Sequence, residues 1–462
     1  MSDLPFSYGD NMSIDYQVIV KGRTVIVAAE TPANEHWLAL TNLDLLLPPL
    51  EVGVFFCYKK KNNIDMSLEI VVNTIKKSLA GVLSTFYPLA GEIVQNSQGE
   101  PEVCCNNNGV EFVHAHADIE LKDLNFYHPD SSVKGKLVPK INHGLLSVQL
   151  TELKCGSMII SCAFNHQLSD GYSLNMFLVA WAKCSQSANI FKTPSFRPSM
   201  LNPRLPPRYE TSFDNLYMPI TSLPPSSFDE PLASRMYHVR ADSIERIQSE
   251  ASTKETKRSK FISFTAYIWK LLADGSNGNA NTMSRMGVVV DGRQFLTQVN
   301  KKDSSLFENH YGNVISVPYG VASINDLNTM PLHQVANKVH GFVAETTNEE
   351  HFRGLIDWVQ FHRPTQGVAR IHLGHEKADG KAVVVSLGQG LPVYDIDFGW
   401  GKPEFGSYYV PWGSQTGYVS TMPYANRYGD WVVYMYLNEK EFHVIERMAP
   451  DVFIPLSLSN LF

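Results

Sequence analysis

In the stretch CAFNHQLSDGYSLNMFLVAWA, residues 162–182, His166 stands four residues before Asp170, and Gly171 follows at once. Imidazole titrates near neutrality and is the commonest general base, so His166 is the first candidate for moving a proton. A histidine that ends a strand is also a common structural residue, and position alone does not separate the two readings. Gly171 leaves room for a substrate to approach the backbone. Asp170 could orient the imidazole, but the segment turns between them. The favoured reading of Asp170 is a buried ion pair with an arginine that holds the loop.

Other familiar chemistries lack their residues. The chain has no G-x-S-x-G elbow, no G-x-x-x-x-G-K-[ST] phosphate loop and no H-E-x-x-H. His114 and His116 lie on alternate residues without cysteine partners, whereas a metal needs three or four convergent ligands, so no metal site is expected.

The elements around His166 follow from periodicity. Residues 145–167 read as two strands around Lys154-Cys155-Gly156, the second ending at His166. Beyond Asp170, Leu174, Phe177, Leu178 and Trp181 recur at helical spacing, with Ser169 or Asp170 placed to cap the helix. Residues 67–86 read as a helix capped by Ser67, and 17–27 as a hairpin around Lys21-Gly22. From about 194 to 231 proline and serine are dense and no apolar period survives, which suggests a crossover linker over 195–231. It would divide an N-terminal domain, 1–194, from a C-terminal domain, 232–462. The second part reads as a strand at 235–240, helices at 241–251 and 263–274, and strands at 286–293 and 430–437. The whole reads as α/β with mixed sheets in two lobes.

Bulk properties narrow the partners. The 462 residues are 44% hydrophobic and 18% charged, enough for a sizeable core, and the formal net charge is −7. A nucleic-acid binder would show a basic excess, so none is expected as a partner. The N-terminal stretch has no basic region leading into an apolar core, and no window offers eighteen uninterrupted apolar residues, so neither a secretory signal nor a membrane span is expected. Six cysteines without C-x-x-C spacing fit reduced thiols in the cytoplasm.

These stretches resemble the plant BAHD acyl-CoA-dependent acyltransferases. HQLSDG (166–171) matches that family's H-x-x-x-D-G motif, and DFGWGKP (397–403) its second signature. LTNLDLLLPP (40–49), FYPLAGEI (86–93), SFTAYIWK (263–270), VDGR (290–293) and YGNVI (311–315) extend the resemblance along the chain. It implies a two-domain fold like chloramphenicol acetyltransferase. A channel would run between the domains, and a segment near 400–430 would cross back to the first. It implies acyl-CoA as co-substrate, no permanently bound cofactor and a monomer.

The resemblance also assigns roles. His166 is the base that deprotonates the acceptor as it attacks the thioester. Asp170 is structural and pairs with Arg293. Asp397, Gly399 and Gly401 hold the second signature in shape, with Trp400 packed between them. Arg258 and Lys260, before Ser263 at a helix start, are candidates for the phosphates of CoA. Asn165 stands where many members have a first histidine. In members that use shikimate or quinate, a T-x-W segment lies where this chain has Ser386 and Gly388, so a hydroxyl persists and the indole is absent. Leu40 replaces a histidine of those members. Arg370 falls where they place an arginine that reads a carboxylate. The segments 355–364 and 397–423 look most like the subgroup acylating phenylpropanoid alcohols. The expected activity is transfer of a hydroxycinnamoyl, benzoyl or acetyl group to an alcohol of plant specialised metabolism. An amide-forming enzyme and a non-catalytic CoA-binding interaction protein remain open.

Overall fold

A computed structural model describes residues 15–30, 36–60, 67–187, 192–223, 231–274, 281–297, 307–373, 382–411, 416–425 and 427–457. Most of the N-terminal stretch behind the reading of no secretory signal, residues 1–14, lies outside the described residues.

Two large mixed sheets organise the chain. The first runs Val18–Ile26, Val110–Ala117, Leu146–Leu153, Met158–Asn165, Glu51–Tyr58 and Phe405–Tyr409. The second runs Tyr319–Ser323, Met283–Val288, Ala382–Leu387, Gly417–Pro423, Trp431–Asn438, Leu232–Val239 and Ile454–Pro455. Each mixes parallel and antiparallel neighbours. Phe405–Tyr409 comes from the C-terminal part of the chain yet closes the first sheet, antiparallel to Glu51–Tyr58. Eight residues later the chain is back in the second sheet. Phe405 is buried, stacked on Phe126 at 5.0 Å between ring centroids and tilted against Phe55 at 5.9 Å.

Helices cover the first sheet where their apolar faces predict. Leu68–Thr85 starts at Ser67, whose side chain accepts from the Ile70 N–H, and it buries Val71, Ile75, Leu79 and Val82. It packs on Gly171–Ser185, with the Trp181 indole N–H donating to Ser78 Oγ at 3.0 Å. In the second half Lys260–Asp274 packs against Leu332–Thr346.

Three expectations need correction. Residues 17–27 form no hairpin. Val18–Ile26 is one strand, paired along its length with Val110–Ala117, and the Lys21-Gly22 turn signal is spent as a register shift between Val20 and Gly22. The strand expected at 286–293 is split. Met283–Val288 lies in the second sheet, Val290–Asp291 pairs instead with Ile315–Ser316, and Arg293 already begins a helix. The proline-rich stretch after 194 is not bare linker. It buries Phe213 and Tyr217, and Tyr217–Pro219 pairs with Gly367–Ala369.

The crossing strand should carry stability for both halves. Phe405→Ala removes a fully packed ring and is expected to cost about 3–5 kcal/mol. Urea unfolding reads this as a lower midpoint, and a loss under about 1 kcal/mol would show that the ring is not a core element.

Candidate active site

His166 sits just past the end of strand Met158–Asn165. Its N–H donates to the Leu50 carbonyl at 3.0 Å, and Asn165 Oδ1 accepts from the Gln167 N–H at 2.9 Å, which tightens the turn. Asn165 thus shapes the turn with its side chain. The Asn313 amide, from the second half, donates to the carbonyls of His166 and Gln167, each at 3.0 Å, and to Asp44 at 2.9 Å. His166 lines the cavity described below, and its Nδ1 is buried. Burial pulls the imidazole below its ordinary pKa, opposed by its own backbone, Asp170 and Asn313.

Asp170 caps helix Gly171–Ser185 by accepting from the Ser173 N–H at 2.9 Å. The same carboxylate takes two bonds from Arg293, at 2.7 and 3.1 Å, and one from the Val314 N–H at 3.0 Å. Both side chains are nearly without solvent. Burial alone would raise the Asp170 carboxyl, but the Arg293 guanidinium and these N–H donors hold it below the usual range. Arg293 also donates to the Gly312 carbonyl at 2.8 Å and lies over the Tyr172 ring. The carboxylate is therefore engaged by a cap, an ion pair and a backbone N–H.

Between the sheets lies a cavity of about 760 Å³, within the range of roughly 300–1,000 Å³ common for small-molecule sites. His166, Gly171 and Ser386 all line it. One wall is a helical face, with Asn175, Met176, Val179, Ala180 and Lys183 recurring at helical spacing. The opposite wall comes from alternate residues of the second sheet, Val384 and Ser386 beside Tyr418 and Ser420. There the Ser386 hydroxyl shares a hydrogen bond with Tyr418 at 2.6 Å and donates to Ser420 at 3.2 Å. A side chain at Gly388 would bring its Cβ within 2.8 Å of Ser420 Oγ and 2.9 Å of the Thr421 carbonyl. No indole can stand at that position.

The second signature works at one remove. Asp397 Oδ1 accepts from the Gly399 and Gly401 N–H groups at 2.8 and 2.9 Å, and both glycines have φ of 110°. That backbone is strained for any other residue. Trp400 is buried, stacked with Phe398 and edge-on to Tyr58. None of Asp397, Gly399, Trp400 and Gly401 lines the cavity.

Five expected contacts fall elsewhere. Leu40 is in the hydrophobic core, off the cavity wall. Arg370 turns its guanidinium to the Asp214 carbonyl. Arg258 donates to Asn337 and Lys260 pairs with Glu245. Ser263 is buried, donating to the Ser259 carbonyl of its own helix start. It is Phe261 and Ile262 of that helix that reach the cavity. Missed from the sequence were Tyr418 and Ser420, legible only as alternate positions of a strand, and Asp291, Lys183, Lys192 and His372.

Comparisons with known proteins follow from this geometry. A profile described as the Transferase family matches residues 16–451. The chain is 26% identical to putrescine hydroxycinnamoyltransferase 1 of Oryza sativa subsp. japonica, covering 84% of this chain and 88% of that protein. It is 23% identical to shikimate O-hydroxycinnamoyltransferase of Nicotiana tabacum, covering 84% and 89%. The crystal structure of vinorine synthase superposes with a TM-score of 0.72 at 20% identity, covering 96% of this chain and all of that one.

Breaking the buried pair should be costly. Arg293→Met leaves Asp170 charged and unpaired and is expected to lose roughly 3–5 kcal/mol, with part recovered in Asp170→Leu/Arg293→Met. Denaturation midpoints of the three proteins test this, and a double variant as unstable as the single would refute it.

Acid should also destabilise the fold. Burial pushes His310, His351 and His372 each down to about 4 from an ordinary 6.5. Their unfolded forms bind protons first, so their contribution is full above pH 6.5 and drains away as pH falls towards 4. Asp44, pushed up to about 6, works in the opposite sense, as do Asp274 and Asp291, also raised by burial, but His114, His128 and His166 are lowered as well, six imidazoles against three carboxyls. Unfolding free energy is expected to fall between pH 6.5 and 4.5. A flat or rising profile would mean that these rings are not held neutral.

Proposed function

The chain is a BAHD acyltransferase of the Transferase family, and on that premise we propose that it moves an acyl group from acyl-CoA to the hydroxyl of a phenylpropanoid-type alcohol, with His166 as general base. The observation that carries this reading is His166 on the wall of a cavity between two sheets, its pKa lowered by burial.

The steps balance without further groups. Nε2 of neutral His166 takes the hydroxyl proton as the oxygen bonds to the thioester carbonyl carbon. The negative charge moves to the carbonyl oxygen, which needs positioned donors; on the opposite wall the Ser386 and Tyr418 hydroxyls would have to turn from their present bonds to supply them. Collapse breaks the carbon–sulfur bond, and the CoA thiolate recovers the proton from the imidazolium. Both substrates share one cavity, so proximity supplies much of the acceleration and no acyl-enzyme is needed. The acyl group is of the hydroxycinnamoyl, benzoyl or acetyl type.

Amide formation is the second reading. It has the same base, and two carboxylates on the cavity wall, Asp291 and Asp395, could pair with an ammonium group.

A crossed panel of acyl-CoAs against alcohols and amines, read by release of free CoA thiol, separates the readings. Turnover with alcohols is expected; turnover with amines alone would move the assignment to amides. No release with any pair would leave a CoA-binding interaction protein. His166→Ala is expected to lower kcat/KM by roughly 10²–10⁴-fold. The base must be neutral, and burial lowers its pKa. The acid limb of kcat/KM against pH is therefore expected below the ordinary 6.5, and a limb above 6.5 would exclude His166 as that base.

A further inference from the structure

Two buried polar atoms lie beside the candidate base, His166 Nδ1 and Asn313 Oδ1, and neither has a hydrogen-bond partner among the described residues. Leaving a buried donor or acceptor unmatched is costly, so two of them on neighbouring side chains call for one explanation. Asn313 is wholly buried in the loop ahead of Ile315–Ser316. Its amide nitrogen is fully occupied. It donates to Asp44 Oδ1 at 2.9 Å and to the His166 and Gln167 carbonyls at 3.0 Å each. What remains of the side chain is an oxygen that can only accept.

Asp44 dictates which way that amide turns. Its Oδ2 accepts from the Thr41 N–H at 2.9 Å and the Thr41 hydroxyl at 2.6 Å, and its Oδ1 from the Asn313 N–H at 2.7 Å. Burial pushes the carboxyl up to about 6, so at neutral pH it is ionised and can only accept. The amide must therefore present its nitrogen to Asp44 and turn its oxygen away. On the other side of Asn313 is His166, whose protonated ring the Asn313 side chain favours. The other acceptor for Nδ1 is the ring's own backbone carbonyl, which Asn313 already engages.

We propose that Asn313, aimed by Asp44, is a positioning residue for the base: its Oδ1 accepts from Nδ1–H of His166 and so fixes the tautomer whose Nε2 carries the lone pair. Hydrogen bonds of this kind are often long until the substrates are bound, and a small turn of the ring closes this one. The inference rests on the reading of His166 as general base. It joins Asp44, Asn313 and His166, from three distant parts of the chain, in one carboxylate–amide–imidazole series.

The test reads the tautomer of His166 by nitrogen NMR of the full chain carrying labelled histidine, its signals identified by their loss in His166→Gln. In the native protein the hydrogen is expected on Nδ1. Asp44→Asn keeps the shape of the site, but its oxygen stays with Thr41 and an N–H group now faces Asn313. The Asn313 amide then has to turn over and present its nitrogen to the ring. Nε2–H is expected to become the main tautomer, with kcat lower by about 10²-fold and KM little changed. Asn313→Asp keeps an oxygen at the ring and should keep Nδ1–H; Asn313→Leu should lose it. A native ring protonated on Nε2, or a tautomer unmoved by Asp44→Asn, overturns the inference. So does Nδ1–H retained in Asn313→Leu, which would give the bond to the ring's own carbonyl. The tautomer is read without substrate, which keeps the failures apart. A tautomer that moves as expected while kcat holds would sink His166 as the base and leave the positioning by Asn313 standing.

Discussion

The buried ion pair between Asp170 and Arg293 is the constraint on which the site depends. One partner comes from the loop after a strand of the first sheet, the other from the helix start that follows Val290–Asp291 in the second half. Neither charge has water to fall back on, and although Arg293 also reaches Asp291 at 3.2 Å, parting the pair would leave Asp170 buried without its counter-charge. The same carboxylate caps the helix that forms a cavity wall and accepts from Val314 across the interface. Ion pair, cap and interface are one bonded unit. Four residues earlier in the chain, the backbone of His166 is tied to the second half through Asn313. The position of the imidazole is therefore a property of the assembled lobes, not of the first lobe alone.

Assembly also sets the chemistry of the ring. The walls that His166 shares with Val52, Phe164, Val384 and Val410 are apolar, and that enclosure disfavours the imidazolium. Asp170, for its part, is wholly engaged elsewhere, by Arg293, by its helix cap and by the Val314 N–H. The crossing strand Phe405–Tyr409 contributes from the far side. Its Tyr408 hydroxyl donates to Asn175 Oδ1 at 2.7 Å, so the strand that joins the sheets also pins the helix that walls the cavity. The DFGWG loop acts further out, where Asp397 closes a glycine turn and the surrounding aromatic rings fix it against the first lobe.

Much of this was legible in the sequence because it is local. The Ser67 and Asp170 caps, the two strands around Lys154-Cys155-Gly156 and the helix after Asp170 follow from spacing within a few residues. What failed depends on partners far along the chain. Lys21-Gly22 carries a turn signal, yet Val110–Ala117 offers a full ladder and the turn becomes a bulge. Arg258, Lys260 and Ser263 form a basic helix start, but Asn337 and Glu245 occupy the first two and the helix buries the third. Spacing cannot say which face of a helix start looks into a cavity, and here it is Phe261 and Ile262. His372 left no motif at all. Its place on the cavity wall appears only once the chain is folded.

This wall of the cavity is defined as much by what cannot be there as by what is. At Gly388 the neighbouring strand crowds the position so closely that even a methyl group would collide with Ser420 and the Thr421 carbonyl. The missing indole is thus a packing requirement of this sheet, not a free choice on an open wall. With no side chain at Gly388 and Arg370 turned to Asp214, the described cavity wall carries neither a ring at that position nor that guanidinium. Hydroxyl groups line it instead, with Ser386 bonded to both Tyr418 and Ser420. Hydroxyls donate and accept without carrying charge, and an apolar cavity makes each such bond strong while penalising any ion left unpaired. The same enclosure acts on His166, where burial disfavours the charged imidazolium.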